Sequence, residues 1–217
     1  MLLCLFAAGC RDVRVEGDDV ADAAREGEEV APPGHDQATP RAPRSCDVGA
    51  PIVQETFAGG DWPAAWLTVG LGESWVEGAF GFLRAEVGAS HGRTIHAPFG
   101  DIDVAVRFRS SADQALHVIL RGDVENKPAI VVEGHRVGSS NRARWLRARV
   151  WDELGTTRLE VHEWFDGEPE PQGWLGSVVD VAEPVGTFAL LASEHDGQLP
   201  VRIEEILICP LATSTDA

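Results

Sequence analysis

Eight residues in one stretch have the types and spacing for binding chemistry. In RWLRARVWDELGTTRLEVHEWF, residues 144–165, Trp145, Arg147, Arg149 and Trp151 alternate with Leu146, Ala148 and Val150. After Leu154 and Gly155 the alternation resumes, with Arg158, Glu160, His162 and Trp164 set against Leu159 and Val161. Side chains two apart on a β-strand share a face. The spacing therefore predicts two strands, each with an outward face carrying tryptophan and charge. Paired as a hairpin, they would set these two faces side by side. Tryptophan stacks on the C–H face of a sugar ring, while arginine, glutamate and histidine exchange hydrogen bonds with hydroxyls at its rim. The same pattern also suits a packed surface in which the tryptophans bury and the arginines pair with carboxylates.

Other chemistries find less. Glycoside hydrolysis takes two carboxyl groups several ångströms apart, one of them protonated. Glu163, Asp166 and Glu168 in EWFDGEPE are the nearest group, but they fall across an Asp-Gly turn. The seven histidines include no H-x-x-x-H pair, and no C-x-x-C occurs. His91 and His96 read as flanking a loop and facing solvent. The one G-x-S-x-G string, Gly88-Ala89-Ser90-His91-Gly92, is not followed by a helical segment, as the elbow of a serine nucleophile requires, and no phosphate-cradling G-x-x-x-x-G-K-[ST] loop is present.

The elements that must position these residues are strands. In DIDVAVRFR, Ile102, Val104, Val106 and Phe108 share one face and Asp101, Asp103, Arg107 and Arg109 the other. ALHVILRG and AIVVEG are short apolar runs that read as buried strands, and VGTFALLAS and VRIEEILIC complete the set. Gly and Asp-Gly turn signals punctuate them, and no segment has a convincing helical period. Many short strands at this spacing predict one all-β domain, an antiparallel two-sheet sandwich or jelly roll. The 217 residues, 44% hydrophobic and 24% charged, suit a single domain of that class. A formal charge of −17 repels nucleic-acid phosphates and argues against that partner, arginines of residues 136–149 notwithstanding.

The N-terminus reads as an address. MLLCLFAAGC has an apolar run too short to span a bilayer, which fits a signal segment. Ala7-Ala8-Gly9-Cys10 resembles the bacterial lipobox, departing from the pattern of such segments in having no basic residue before the run. The resemblance implies lipidation of Cys10 and a chain held at a membrane surface. With Arg11 rather than aspartate next, it implies the outer membrane or cell surface of a bacterial envelope. Residues 11–45 are acidic, then Pro- and Ala-rich, without an aromatic residue, and read as a disordered tether. The expected organisation is a signal peptide at 1–9, the tether at 10–45, a sandwich at 46–210 and a short tail at 211–217. If Cys4 leaves with the signal and Cys10 takes lipid, Cys46 and Cys209 remain at the two ends of the domain. An exported compartment permits a disulfide between them, with two buried thiols as the alternative.

ETFAGGDWPAAWLTVGLGESWVEGAFGFLRAE, with Glu55, Phe57, Trp66 and Trp75-Val76-Glu77-Gly78, is similar to the opening of concanavalin A-like jelly rolls of bacteria. FGDIDVAVRFR, the 144–171 hairpin, VGTFALLA and VRIEEILI follow in that group's order. The group includes lectins, laminin G-like modules, laminarinase-type glycosidases and 3-keto-disaccharide hydrolases, so the fold leaves function open. The E-x-D-x-x-E string of the laminarinase type is missing. Many members bind calcium, which makes Glu55 with Glu204 or Glu205 the metal candidate, provided the first and last strands pair. The expectation is a lipid-anchored envelope module that binds glycan without catalysis. A hydrolase of the same fold and a lipoprotein that docks an envelope protein are the alternatives.

Overall fold

The computed structural model describes residues 11–13, 45–47, 49–110, 114–122, 130–134, 142–173, 175–179, 186–194 and 199–211. Within them the chain is all β, with no helix. The strands are β1 (Arg11–Val13), β2 (Val53–Glu55), β3 (Trp66–Gly70), β4 (Gly72–Glu77), β5 (Phe80–Ala85), β6 (Ser90–Phe99) and β7 (Ile102–Arg109). They continue as β8 (Gln114–Gly122), β9 (Ile130–Glu133), β10 (Arg144–Glu153), β11 (Thr156–Phe165), β12 (Leu175–Val179), β13 (Gly186–Glu194) and β14 (Val201–Pro210).

Two sheets face each other. A six-stranded sheet runs β1-β9-β8-β13-β6-β3. An eight-stranded sheet runs β12-β11-β10-β7-β14-β5-β4, with β2 also paired to β14. The pairings are antiparallel except β1 on β9. The β1 pairing places Arg11–Val13, part of the expected tether, at one edge of the six-stranded sheet. The rest of that segment lies outside the described residues, as do the expected signal peptide and Cys10.

Period two explains the sandwich. Val104, Val106 and Phe108 of β7 alternate inward with Asp103, Ala105 and Arg107 outward, as the sequence predicts. Leu146, Ala148 and Val150 of β10 and Leu159 and Val161 of β11 join them in one core. From the opposite sheet Leu116, Val118, Leu120, Phe188 and Leu190 close it. Arg121 crosses this interior with its side chain fully buried, binding Asp101 at 2.9 Å and Asp152 at 2.7 Å. A buried guanidinium is tolerable only when paired in this way.

The chain passes from one sheet to the other between β3 and β4 through Gly70-Leu71-Gly72. A Cβ at Gly70 would lie 2.0 Å from the Ser90 carbonyl oxygen, and φ there is +77°, so only glycine fits. At its two ends the domain is closed by the disulfide between Cys46 and Cys209, Cα atoms 5.5 Å apart. That is the pairing the cysteine arithmetic anticipated.

Candidate functional site

β10 and β11 form a hairpin whose turn, Leu154-Gly155, has φ of 51° and 78° at its two central residues. Positive φ at both positions matches the twist of the flanking strands. The register sets Trp145 opposite Trp164, Arg147 opposite His162, Arg149 opposite Glu160 and Trp151 opposite Arg158. The eight sequence-predicted residues thus share the outward face of the eight-stranded sheet. They divide into a covered half and an open half.

In the covered half Trp145 and Trp164 stack with centroids 6.2 Å apart and 16° between planes. They are only 6% and 9% exposed, and they pack with Ala105, Leu207, Cys209 and Cys46 in a second, smaller apolar cluster. Two segments lie over them. The first carries Cys46 and Asp47, whose carboxylate binds Arg147 at 2.8 Å and Arg149 at 3.1 Å. The second follows β11. Its Asp166 accepts the Trp145 indole N–H at 3.0 Å, its Glu170 binds Arg147 at 2.8 Å, and its Gly173 carbonyl accepts from His162 Nε2 at 2.5 Å. Asp103 grips Arg147 through both oxygens. Burial works against the Arg147 charge, but Asp103, Glu170 and Asp47 outweigh it and hold the guanidinium above its ordinary range. His162 is 3% exposed beneath the second segment. Facing outward from a sheet and facing water are different conditions here, because the chain folds back over its own face.

In the open half Trp151 and Glu160 are partly exposed and are diagonal neighbours across the hairpin. Neither forms a hydrogen bond, ion pair or ring contact through its side chain with a described residue. Arg158 pairs with Glu153 at 3.0 Å on the open surface, and Arg149 binds Asp103 at 3.0 Å.

A further aromatic group, not singled out from sequence as a contact surface, sits across the same face on β4, β5 and β14. Trp75 stacks on Phe82 with centroids 5.1 Å apart and 9° between planes. Arg84 lies 5.6 Å from the Trp75 ring centre and pairs with Glu73, both substantially exposed. Arg202 lies 3.4 Å over the Phe80 ring. The signal was present: Phe80, Phe82 and Arg84 alternate with Gly81, Leu83 and Ala85, and only the second set is buried.

The candidate acids are occupied. Glu163 is bound by Arg144 at 2.6 Å, Asp166 by Arg107 at 2.7 Å and Glu168 by Arg142 at 3.0 Å. β2, the first strand after Cys46, does pair with the last strand, β14, which sets Glu55 opposite Ile206. The Glu55 carboxylate, however, accepts the Phe57 backbone N–H, and Glu204 is ringed by Arg107, Arg109 and Arg202. Glu205 is 7% exposed on the same strand. Among the described residues no three His, Cys, Asp or Glu side chains converge, whereas calcium takes about six to eight oxygens. Glu55, Glu204 and Glu205 are thus not brought together as a group of metal ligands. His91 departs from its expected loop position: it lies inside β6 and is 1% exposed, held between the two sheets. The side chain of His96 lies outside the described set.

The architecture is that of the concanavalin A-like lectins. The calcium-bound exoplasmic/lumenal domain of VIP36 superposes with a TM-score of 0.52 at 12% identity, covering 74% of this chain and 90% of that one. Its Ca2+/Man2-bound form gives 0.51 at 12%, covering 75% and 89%. A seed lectin of Lotus tetragonolobus gives 0.52 at 7%, covering 72% and 96%. No family profile matches the chain, and no curated protein matches it in sequence.

Proposed function

We propose that this protein is a non-catalytic glycan-binding module, and that Trp151 and Glu160 on the outward face of the eight-stranded sheet contact the sugar. One observation carries the reading. On a lectin fold, an indole ring and a carboxylate stand side by side, partly exposed, with no side-chain partner among the described residues. The ring supplies a stacking surface, the carboxylate accepts from two hydroxyls, and Arg158 and Arg149 donate at the rim. Hydrolysis would require a second carboxyl at the right separation. The acids flanking Glu160 on this face, Asp103 and Glu153, are held by Arg147, Arg149 and Arg158. Titration of the full-length chain with mannan, xylan and glucan oligosaccharides, read by tryptophan fluorescence and by reducing ends in the same tubes, tests this. A saturable shift without new reducing ends, weakened in Trp151→Ala and Glu160→Gln, is the expected result. New reducing ends would convert the module into a hydrolase. Silence toward every sugar, with a protein captured instead, would mark a docking lipoprotein.

The anchor is the second part of the proposal. The apolar run before Cys10 and the small residues preceding it support lipidation there and residence at an envelope surface. Since Arg11–Val13 pair with β9, a lipid on Cys10 would stand at that edge of the six-stranded sheet. Incorporation of labelled fatty acid, lost in Cys10→Ser, is the expected outcome. Equal labelling of both chains would remove the anchor.

A further inference from the structure

We infer that Trp75, with Phe82 beside it, forms a second saccharide contact on the same outward face, suited to a neutral glycan chain. The inference rests on the glycan-binding reading and extends it to residues at the opposite edge of the sheet.

Three features distinguish this pair from ordinary packing. First, both rings keep part of their surface in water. Trp75 and Phe82 are half-buried, and Trp75 lies on β4, the outermost strand of its sheet. An aromatic pair left partly in water retains apolar area that a ligand would bury, at about 25 cal/mol for each Å². Second, the Trp75 indole N–H donates to no described residue, although the backbone carbonyl of Trp75 accepts from Trp62 Nε1 at 3.2 Å. A large aromatic that finishes its packing usually places its N–H as well. Third, the flanking groups are those that meet hydroxyls. The Glu73–Arg84 pair, 65% and 42% exposed in its side chains, occupies the next cross-strand row and offers both an acceptor and donors.

Charge selects the ligand class. At the platform Glu73 and Arg84 cancel, Arg202 over the Phe80 ring pairs with Glu204, and Glu77 adds an exposed carboxylate beside Phe80. With a whole-chain charge of −17, a uronate-bearing polymer meets repulsion, whereas an uncharged one meets only hydroxyl partners and ring faces.

The test uses the full-length chain and four probes: mannan, xylan and glucan oligosaccharides, and polygalacturonate as the charged comparator. Affinities are measured calorimetrically for the native chain and for Trp75→Ala, Trp75→Phe and Trp151→Ala, with thermal melts of each. A neutral oligosaccharide should bind the native chain, and Trp75→Ala should lose at least about tenfold, equivalent to 1.4 kcal/mol. Trp75→Phe keeps a ring against Phe82 without the N–H and should lose severalfold while melting close to the native chain. Polygalacturonate should bind most weakly. If Trp75→Phe and Trp75→Ala, or Trp75→Phe alone where the alanine variant fails to fold, bind like the native chain while Trp151→Ala does not, the second contact is overturned and the glycan reading stands. If no neutral probe binds the native chain, both fall. Tighter binding of polygalacturonate would overturn the assignment to neutral glycans.

Discussion

Two stacked aromatic pairs occupy one face of one sheet, and they have opposite fates. Trp145 and Trp164 are direct cross-strand neighbours on β10 and β11, and Trp75 and Phe82 are direct cross-strand neighbours on β4 and β5. Both pairs lie near parallel, at 16° and 9°. The strand pattern that creates them is the same. The first pair is roofed by the disulfide-linked segment at residues 45–47 and by the segment after β11, and its indole N–H is bound by Asp166. The second is left partly exposed, with the Arg84 side chain 5.6 Å from the Trp75 ring centre. Outward orientation is thus a property of strand parity, while exposure is a property of what the rest of the chain lays on top. A tryptophan under a roof stabilises the fold, and one left partly exposed is available to a ligand.

The contrast can be broken hardest at the disulfide. It closes a sequence separation of 163 residues, for which chain entropy alone suggests roughly 4–5 kcal/mol. Cys46→Ser with Cys209→Ser should lower the denaturation midpoint accordingly. It should also loosen residues 45–47, raising amide exchange in β10 and β11 more than in β4 and β5. Equal exchange in both regions would mean that the link does not fasten the roof. Next in size is the direct comparison. Trp145→Ala removes a nearly buried indole, and should cost roughly 3–4 kcal/mol in urea unfolding with little change in sugar affinity. Trp75→Ala should reverse that ranking, costing about 1 kcal/mol of stability from the lost ring pair while losing affinity. Similar stability losses at the two sites would erase the distinction between roofed and open.

Much of this fold was legible in the sequence because period two is a local signal. Leu146, Ala148, Val150, Leu159 and Val161 announce their inward face without help from distant residues, and Leu154-Gly155 announces the turn. The Cys46–Cys209 link followed from counting cysteines. The roof was not legible. Residues 45–47 and 166–173 are irregular and polar, and nothing periodic in them says that Asp47, Glu170 and the Gly173 carbonyl will close over Arg147 and His162. Hence the eight-residue face emerged as a half-open one. Trp75 was legible as a mark of fold resemblance, whereas its pairing with Phe82 depends on the β4–β5 register. His91 was misplaced: it does not face solvent at a loop, since β6 runs from Ser90 and turns His91, Arg93 and Ile95 between the sheets.

His91 also gives the subtlest way to separate the two regions. The support beneath the open pair is polar where that beneath the covered pair is apolar. Arg93 binds Ser74 Oγ of β4 at 2.9 Å, and a Cβ added at Gly72 would lie 2.7 Å from the His91 Cβ. Neither His91 ring nitrogen forms a hydrogen bond of good geometry, though the Gly70 backbone faces it. Burial first, and the neighbouring Arg93 second, push the His91 pKa below its ordinary 6.5, against weaker opposing pulls from the Gly70 backbone, Glu73 and Glu86. The folded chain therefore resists a proton that the unfolded chain accepts. The stability tied to neutral His91 is complete above pH 6.5 and declines as the pH falls from there through the lowered folded value. Amide exchange, corrected for its intrinsic pH dependence, should rise in β3 and β4 between pH 7 and pH 5 before it rises in β10 and β11. His91→Gln, which cannot take up a proton, should flatten that rise at the β3–β4 edge and leave β10 and β11 as they were. A rise of equal size in both regions, or one that persists in His91→Gln, would show that the open edge is not held by this imidazole. Its accessibility would then not depend on the support beneath it.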